Sequence, residues 1–138
     1  MRVYSPTEMV ALLPATPKAE CAAIEKLTPL HQQFGGDAAR LRKLTEQGFL
    51  RTAALNVDGQ ESMIVWYRLL GSHLIVEMVA SLKPVGLETM VNGFELIAKT
   101  LNCDYVEGMT SSKGLAEFYL AKGYTLNGVH FAGKVPQQ

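Results

Sequence analysis

Glu77 and Tyr119 are the two side chains of this 138-residue chain best suited to moving a proton. Glu77 sits in the largely apolar run from His73 to Ser81, and a carboxylate beside a bound ammonium can take its proton directly or through water. The residue also fits a plainer role, because it shares a strand face with His73, Ile75 and Val79, and a half-solvated strand carries polar side chains at alternate positions. Tyr119 offers a phenol that can act as a general acid, or can bury its ring beside Leu115 and Phe118. His31, His73 and His130 share no metal-ligand spacing and stand beside no candidate nucleophile, so no metal is expected. Cys21 and Cys103 form no CxxC pair and read as reduced, buried, small hydrophobic residues.

The elements that must hold these groups follow from turn signals and hydrophobic periodicity. Residues 2–4 read as a short strand, and Ser5-Pro6-Thr7-Glu8 as a capping box that starts a helix through about Leu13. A second helical region from about Glu20 is interrupted near Pro29, and a helix over residues 37–47 follows Gly35-Gly36 and closes at Gly48. Residues 49–57 and 61–70 flank Asp58-Gly59, a strong hairpin signal, and Gly71-Ser72 leads into residues 73–81 as a third antiparallel strand. Leu87, Val91, Phe94, Ala98 and Leu101, with Met90 and Ile97, mark one helical stripe. A strand over residues 104–109, a helix capped by Ser111 or Ser112 and ended by Gly123, and a last strand over residues 124–135, bent by a bulge or turn at Asn127-Gly128 or Gly133, complete the chain. Trp66 and Tyr67 point to opposite faces of one strand, one to the core and the other to a cleft or a dimer surface.

Composition narrows the partners. Thirteen basic residues balance thirteen acidic ones without a basic cluster, which removes the electrostatic footprint of non-specific nucleic-acid binding. The residues beginning MRVYSPTEMV lack a secretory signal's apolar core, and no apolar run approaches the ~20 residues of a membrane span, so a cytoplasmic protein is expected. The length fits one domain, residues 1–138.

The order of elements, together with Phe118-Tyr119 followed by Gly123-Tyr124, resembles the GNAT acyltransferase family, whose members often close with an L-Y-x-x-x-G-F run. The resemblance implies a three-layer α/β fold, with a mixed, mostly antiparallel sheet flanked by helices. It also implies acetyl-coenzyme A, a pyrophosphate loop of the form Q/R-x-x-G-x-G/A, and a tyrosine that protonates the departing thiolate. Laid on this chain, the loop places Lys83 at the Q/R position, Gly86 at the first glycine and Glu88 where the family has glycine or alanine, with Leu87 between them. Backbone amides and a helix dipole favour an anion at such a loop, whereas Glu88 brings a negative charge and Pro84 removes a donor. The same likeness assigns Tyr119 as the acid, Glu77 as the base, the backbone near Val79 to the thioester carbonyl, and Ser112 to a position where the family often has asparagine. Leu115 replaces the small residue usual before the tyrosine. The acceptor is then a primary amine of a small molecule or a peptide. A second expectation is a catalytically degenerate GNAT scaffold that serves as a binding or structural protein, phage-encoded and virion-associated. A homodimer fits either.

Overall fold

The computed structural model describes residues 10–13, 18, 21–25, 38–109, 113–127 and 130–136. The strand expected at residues 2–4, the capping box at Ser5, and Ser111, Ser112 and Gly128 lie outside the described residues. The chain divides into two compact units, one of Met1–Trp66 with Val79–Val85, the other of Tyr67–Met78 with Gly86–Gln138.

The first unit opens with strand β1 (Val10–Leu13), followed after a helical stretch at residues 21–25 by helix α1 (Ala38–Glu46), strand β2 (Arg51–Val57) and the first part of strand β3 (Gln60–Leu70). It also takes the end of strand β4 (His73–Ser81). Val10–Leu13 pairs antiparallel with β2, from Val10↔Val57 to Leu13↔Ala54, and this corrects the helix expected through Leu13. The run Val-Ala-Leu-Leu gains a full ladder against β2, and that long-range pairing outweighs the local helix-start signal. Asp58 and Gly59 carry φ of 53° and 79°, so both central residues of the β2–β3 loop are left-handed, the geometry of a type I′ turn. Met63, Ile64, Val65 and Trp66 are buried in succession, so both faces of β3 are covered there.

The second unit holds the start of β4, helix α2 (Leu87–Thr100), strand β5 (Tyr105–Met109), helix α3 (Lys113–Ala121) and strands β6 (Thr125–Asn127) and β7 (His130–Lys134). Tyr67, the last residue of the apolar run in β3, is buried as Trp66 is, so neither lines an open surface. Strand order is β1-β2-β3-β4-β5-β7-β6, and β4 with β5 is a parallel pair. β5–β7 and β6–β7 are antiparallel, and the two-residue β2–β3 and β3–β4 connections permit only antiparallel pairing. The sheet is therefore mixed, mostly antiparallel and flanked by helices. β6 pairs antiparallel with β7 from Thr125↔Ala132 to Asn127↔His130, so the last strand expected over residues 124–135 is two strands, divided next to the Asn127-Gly128 position where a bulge or turn was read.

Three helices end the same way. The N–H of Phe49 bonds Leu44 O and that of Gly48 bonds Thr45 O. Cys103 and Asn102 repeat the pattern on Ala98 and Lys99, and Tyr124 and Gly123 on Tyr119 and Leu120. Each is a Schellman closure, which needs a left-handed residue after the helix. Gly48 and Gly123 supply it at φ of 81° and 91°, and Asn102 does so at 58°. α2 packs against β5, and its buried stripe includes Val91, Phe94, Ile97 and Ala98, of which the three larger side chains are each worth about 1.5–3 kcal/mol when fully buried. Leu87, expected on that stripe, is 44% exposed at the first turn. Cys103 is buried as expected, with its thiol pushed up by desolvation and by Asp104, whereas Cys21 is exposed.

Candidate active site

The parallel β4–β5 ladder runs from His73↔Tyr105 to Val76↔Gly108. β4 then continues to Ser81, so Glu77 is its first residue past the ladder. Glu77 points to the exposed face, where its Oε1 accepts from Arg68 Nε at 2.5 Å, with the two side chains 38% and 46% exposed. On the same odd-numbered face of β4, His73 Nδ1 lies 2.6 Å from Glu107 Oε2 and its ring stacks on Tyr105. The alternation is the one read from sequence: Leu74 and Val76 are buried opposite.

At the start of α2, Gly86 is the N-cap, with extended backbone (φ −65°, ψ 151°) and no side chain to bond the first turn. Its carbonyl accepts the first helical bond, from Met90 N–H at 3.0 Å. Glu88 lies in that first turn and is exposed, an acid at the positive end of the helix dipole.

Tyr119, on α3, is 1% exposed, so the phenol predicted from the closing run is a core side chain. Its ring stacks on Tyr124 with centroids 5.2 Å apart and planes at 28°. Desolvation pushes the Tyr119 hydroxyl well above the usual phenol range. The Tyr124 hydroxyl is raised further, first by burial, then by the charge of Glu95, to which it donates at 2.9 Å. The other oxygen of that carboxylate accepts from Lys122 Nζ at 2.9 Å, and the same ammonium donates to Asn92 Oδ1 at 3.1 Å. Gly133 completes the arrangement from β7, because a Cβ there would stand 2.5 Å from Tyr124 Cδ1. Gly133 thus makes room for a ring, and the β5–β7 register runs through it without a bulge.

Glu77, Gly86, Leu87, Glu88 and Tyr119 belong to the second unit, while Val79 and Lys83 belong to the first. Val79 is half-buried. Lys83 is exposed and donates from its ammonium to Gln60 Oε1, while its N–H and that of Leu82 bond Ser62 O. Ser112 and the Leu115 side chain fall outside the described residues. Among the described residues no group of three metal-ligating side chains forms, and no helix is long and apolar enough to cross a membrane.

Sequence reasoning missed Glu95, Lys122 and the role of Gly133. A signal for Glu95 existed: it lies four residues after Val91 and three before Ala98, a charge on an otherwise apolar stripe. A charge there demands partners from a facing element.

Comparison with known proteins defines the class of fold. An aminoglycoside 6'-acetyltransferase type Ii is similar at a TM-score of 0.67 and 11% identity, covering 93% of this chain and 99% of that one. The ribosomal-protein-S18-alanine N-acetyltransferase from Escherichia coli matches at 0.67 and 9%, covering 94% and 96%. A PaiA N-acetyltransferase from Thermoplasma acidophilum, solved in complex with coenzyme A, matches at 0.59 and 10%, covering 94% and 99%. The chain has the fold of the GNAT acetyltransferases, along nearly its whole length. No protein-family model matches its sequence, and no curated protein does.

Proposed function

We propose that this protein is an N-acyltransferase that moves an acetyl group from acetyl-coenzyme A to a primary amine by direct attack. The observation that carries the reading is the parallel β4–β5 pair, His73↔Tyr105 to Val76↔Gly108, with the Glu77 carboxylate at the next residue of β4. The start of α2 at Gly86 supports it, since a helix N-terminus turns backbone N–H groups and the positive end of its dipole toward an anion. Gly86, Leu87 and Glu88 then hold the pyrophosphate through backbone N–H groups, with the Glu88 carboxylate turned to solvent.

In this reading Glu77 accepts a proton from the incoming ammonium, and Arg68 fixes the carboxylate on the strand face. The neutral amine attacks the thioester carbonyl carbon; a C–N bond forms, the C–S bond breaks, and the second amine proton ends on the thiol or in water. Tyr119 serves the departing sulfur. A phenol held above its ordinary ~10 is a weaker acid than a thiol near ~8.5, so complete transfer to sulfur runs uphill by more than about 2 kcal/mol. Tyr119 therefore acts as a neutral hydrogen-bond donor to the developing thiolate. Val79, Lys83 and Ser112 keep the assignments that the family resemblance gives them, as part of the same proposal.

The test is release of free thiol from acetyl-coenzyme A against a panel of small-molecule and peptide amines. Amine-dependent release that falls about 10²-fold or more in Tyr119→Phe is the expected result. No release with any amine, from protein that melts cooperatively, refutes the proposal.

A further inference from the structure

The second unit contains a buried carboxylate, held by a part-buried lysine, that stability alone does not explain. Glu95 is 7% exposed, and both its carboxylate oxygens are occupied, one by Tyr124 and one by Lys122. Replacing a buried ion pair with apolar side chains of similar volume is often neutral or stabilising. Glu95 lies among the buried, otherwise apolar positions of α2. What the carboxylate adds is direction, because a hydrogen-bonded hydroxyl fixes where the Tyr124 ring lies.

That ring is confined from several sides. Its hydroxyl is tied to Glu95 at 2.9 Å, its edge fills the space left by the absent side chain of Gly133, and its peptide N–H closes α3 on Tyr119 O at 3.0 Å. Its face meets the Tyr119 ring, stacked at 5.2 Å. Glu95 is itself held, since Lys122 bridges it to Asn92, one turn earlier on α2. The chain of contacts runs Asn92, Lys122, Glu95, Tyr124, Tyr119. It ends at the phenol that the acyl-transfer reading uses.

We infer that Glu95 and Tyr124 are positioning residues that set the place of the Tyr119 phenol for acyl transfer. The inference rests on the proposed acyl-transfer function. Neither residue touches the reacting atoms. Each acts by limiting the orientations open to the Tyr119 ring, and misplacement of a catalytic group by a fraction of its own size is costly to the chemical step.

Two variants test it. Tyr124→Phe keeps the stacked ring and the Glu95–Lys122 pair while removing the tether, and Glu95→Gln keeps an acceptor for the hydroxyl while removing the charge. Both are compared with the native protein in steady-state transfer, and in fluorine NMR of protein labelled with fluorotyrosine, with the Tyr119 line assigned by its loss in Tyr119→Phe. The expected result is a kcat lower by about 10-fold in Tyr124→Phe, with the KM for acetyl-coenzyme A within about 2-fold of native, and a Tyr119 line that shifts or splits. A merely structural role lowers the melting temperature and leaves kcat and the Tyr119 line where they were, and that outcome overturns the inference. If Glu95→Gln does not fold, Tyr124→Phe alone decides. If the native protein transfers nothing, the acyl-transfer reading fails by itself. The fluorine line then decides separately: a moved line supports the hold of Tyr124 on Tyr119, and an unmoved one overturns it.

Discussion

Substituting Gly133 by alanine places a methyl carbon 2.5, 2.6 and 2.7 Å from three carbons of the Tyr124 ring, where ordinary contact begins at 3.4 Å. Relief requires a ring displacement approaching 1 Å, the difference between those distances. The ring is not at liberty to make it, because its hydroxyl bonds Glu95 and its face stacks on Tyr119. Overpacking of this kind costs about 1–3 kcal/mol. If the ring moves off Glu95, a hydrogen bond to a charged acceptor worth about 1.5–3 kcal/mol goes with it. Opposing these, alanine restricts the unfolded chain by about 0.4–1 kcal/mol more than glycine. The net expectation is a destabilisation of about 2–4 kcal/mol, read as a lower urea midpoint at constant slope. The origin is tested in the Tyr124→Ala background, where the methyl meets open space and Gly133→Ala becomes neutral or slightly stabilising. Equal cost in both backgrounds, or a change within about 0.5 kcal/mol in the native background, refutes the account of Gly133.

Other consequences follow from the same geometry. Asn102, left-handed at φ 58° after α2, tolerates glycine and resists alanine: thermal melts should show Asn102→Gly within about 0.5 kcal/mol of native and Asn102→Ala about 1 kcal/mol below it. Tyr119 and Tyr124 are both raised by burial, so above about pH 10 the unfolded chain loses protons that the folded chain keeps. Stability present below that pH therefore falls as pH rises toward the folded-state values, at about 1.4 kcal/mol per pH unit for each tyrosine, and Tyr119→Phe should remove its share of the slope in urea titrations. Glu77→Gln breaks an ion pair whose side chains are 38% and 46% exposed, so its melting curve should move by less than about 1 kcal/mol. In the transfer assay the same variant should lose about 10²-fold or more in kcat, and a loss below about 3-fold would remove Glu77 from the role of base.

Much of the architecture was legible because it is written in local signals. Asp58-Gly59 encodes a turn that only left-handed residues make, Gly48 and Gly123 stand where helices must close, and the stripe from Val91 to Ala98 has a helix's period. Residues 10–13 were misread as helix because the strand they form is specified by β2, 41 or more residues away in sequence (Leu13↔Ala54), while the helix-start signal was adjacent. Asn102 escaped because asparagine enters the left-handed region less often than glycine and carries no obligation to do so. The site divided along the same line. Tyr119 and Glu77 were proposed from residue type and from the family resemblance, and both lie within elements that the sequence signalled. The Glu95–Tyr124–Lys122 group was not, since its members meet only after α2, α3 and β7 pack together. A lone Glu on an apolar stripe names no partner until the facing element is known.

Isothermal titration of the native protein with acetyl-coenzyme A asks whether the start of α2 holds the cofactor. The account predicts binding in the micromolar range, about −7 to −8 kcal/mol, with Glu88→Gly binding as tightly or more tightly because an acid leaves the first turn of α2. A native protein that melts cooperatively yet binds no acetyl-coenzyme A, while Glu88→Gly binds it, would contradict the account: the scaffold would then be that of an acetyltransferase whose cofactor loop Glu88 closes.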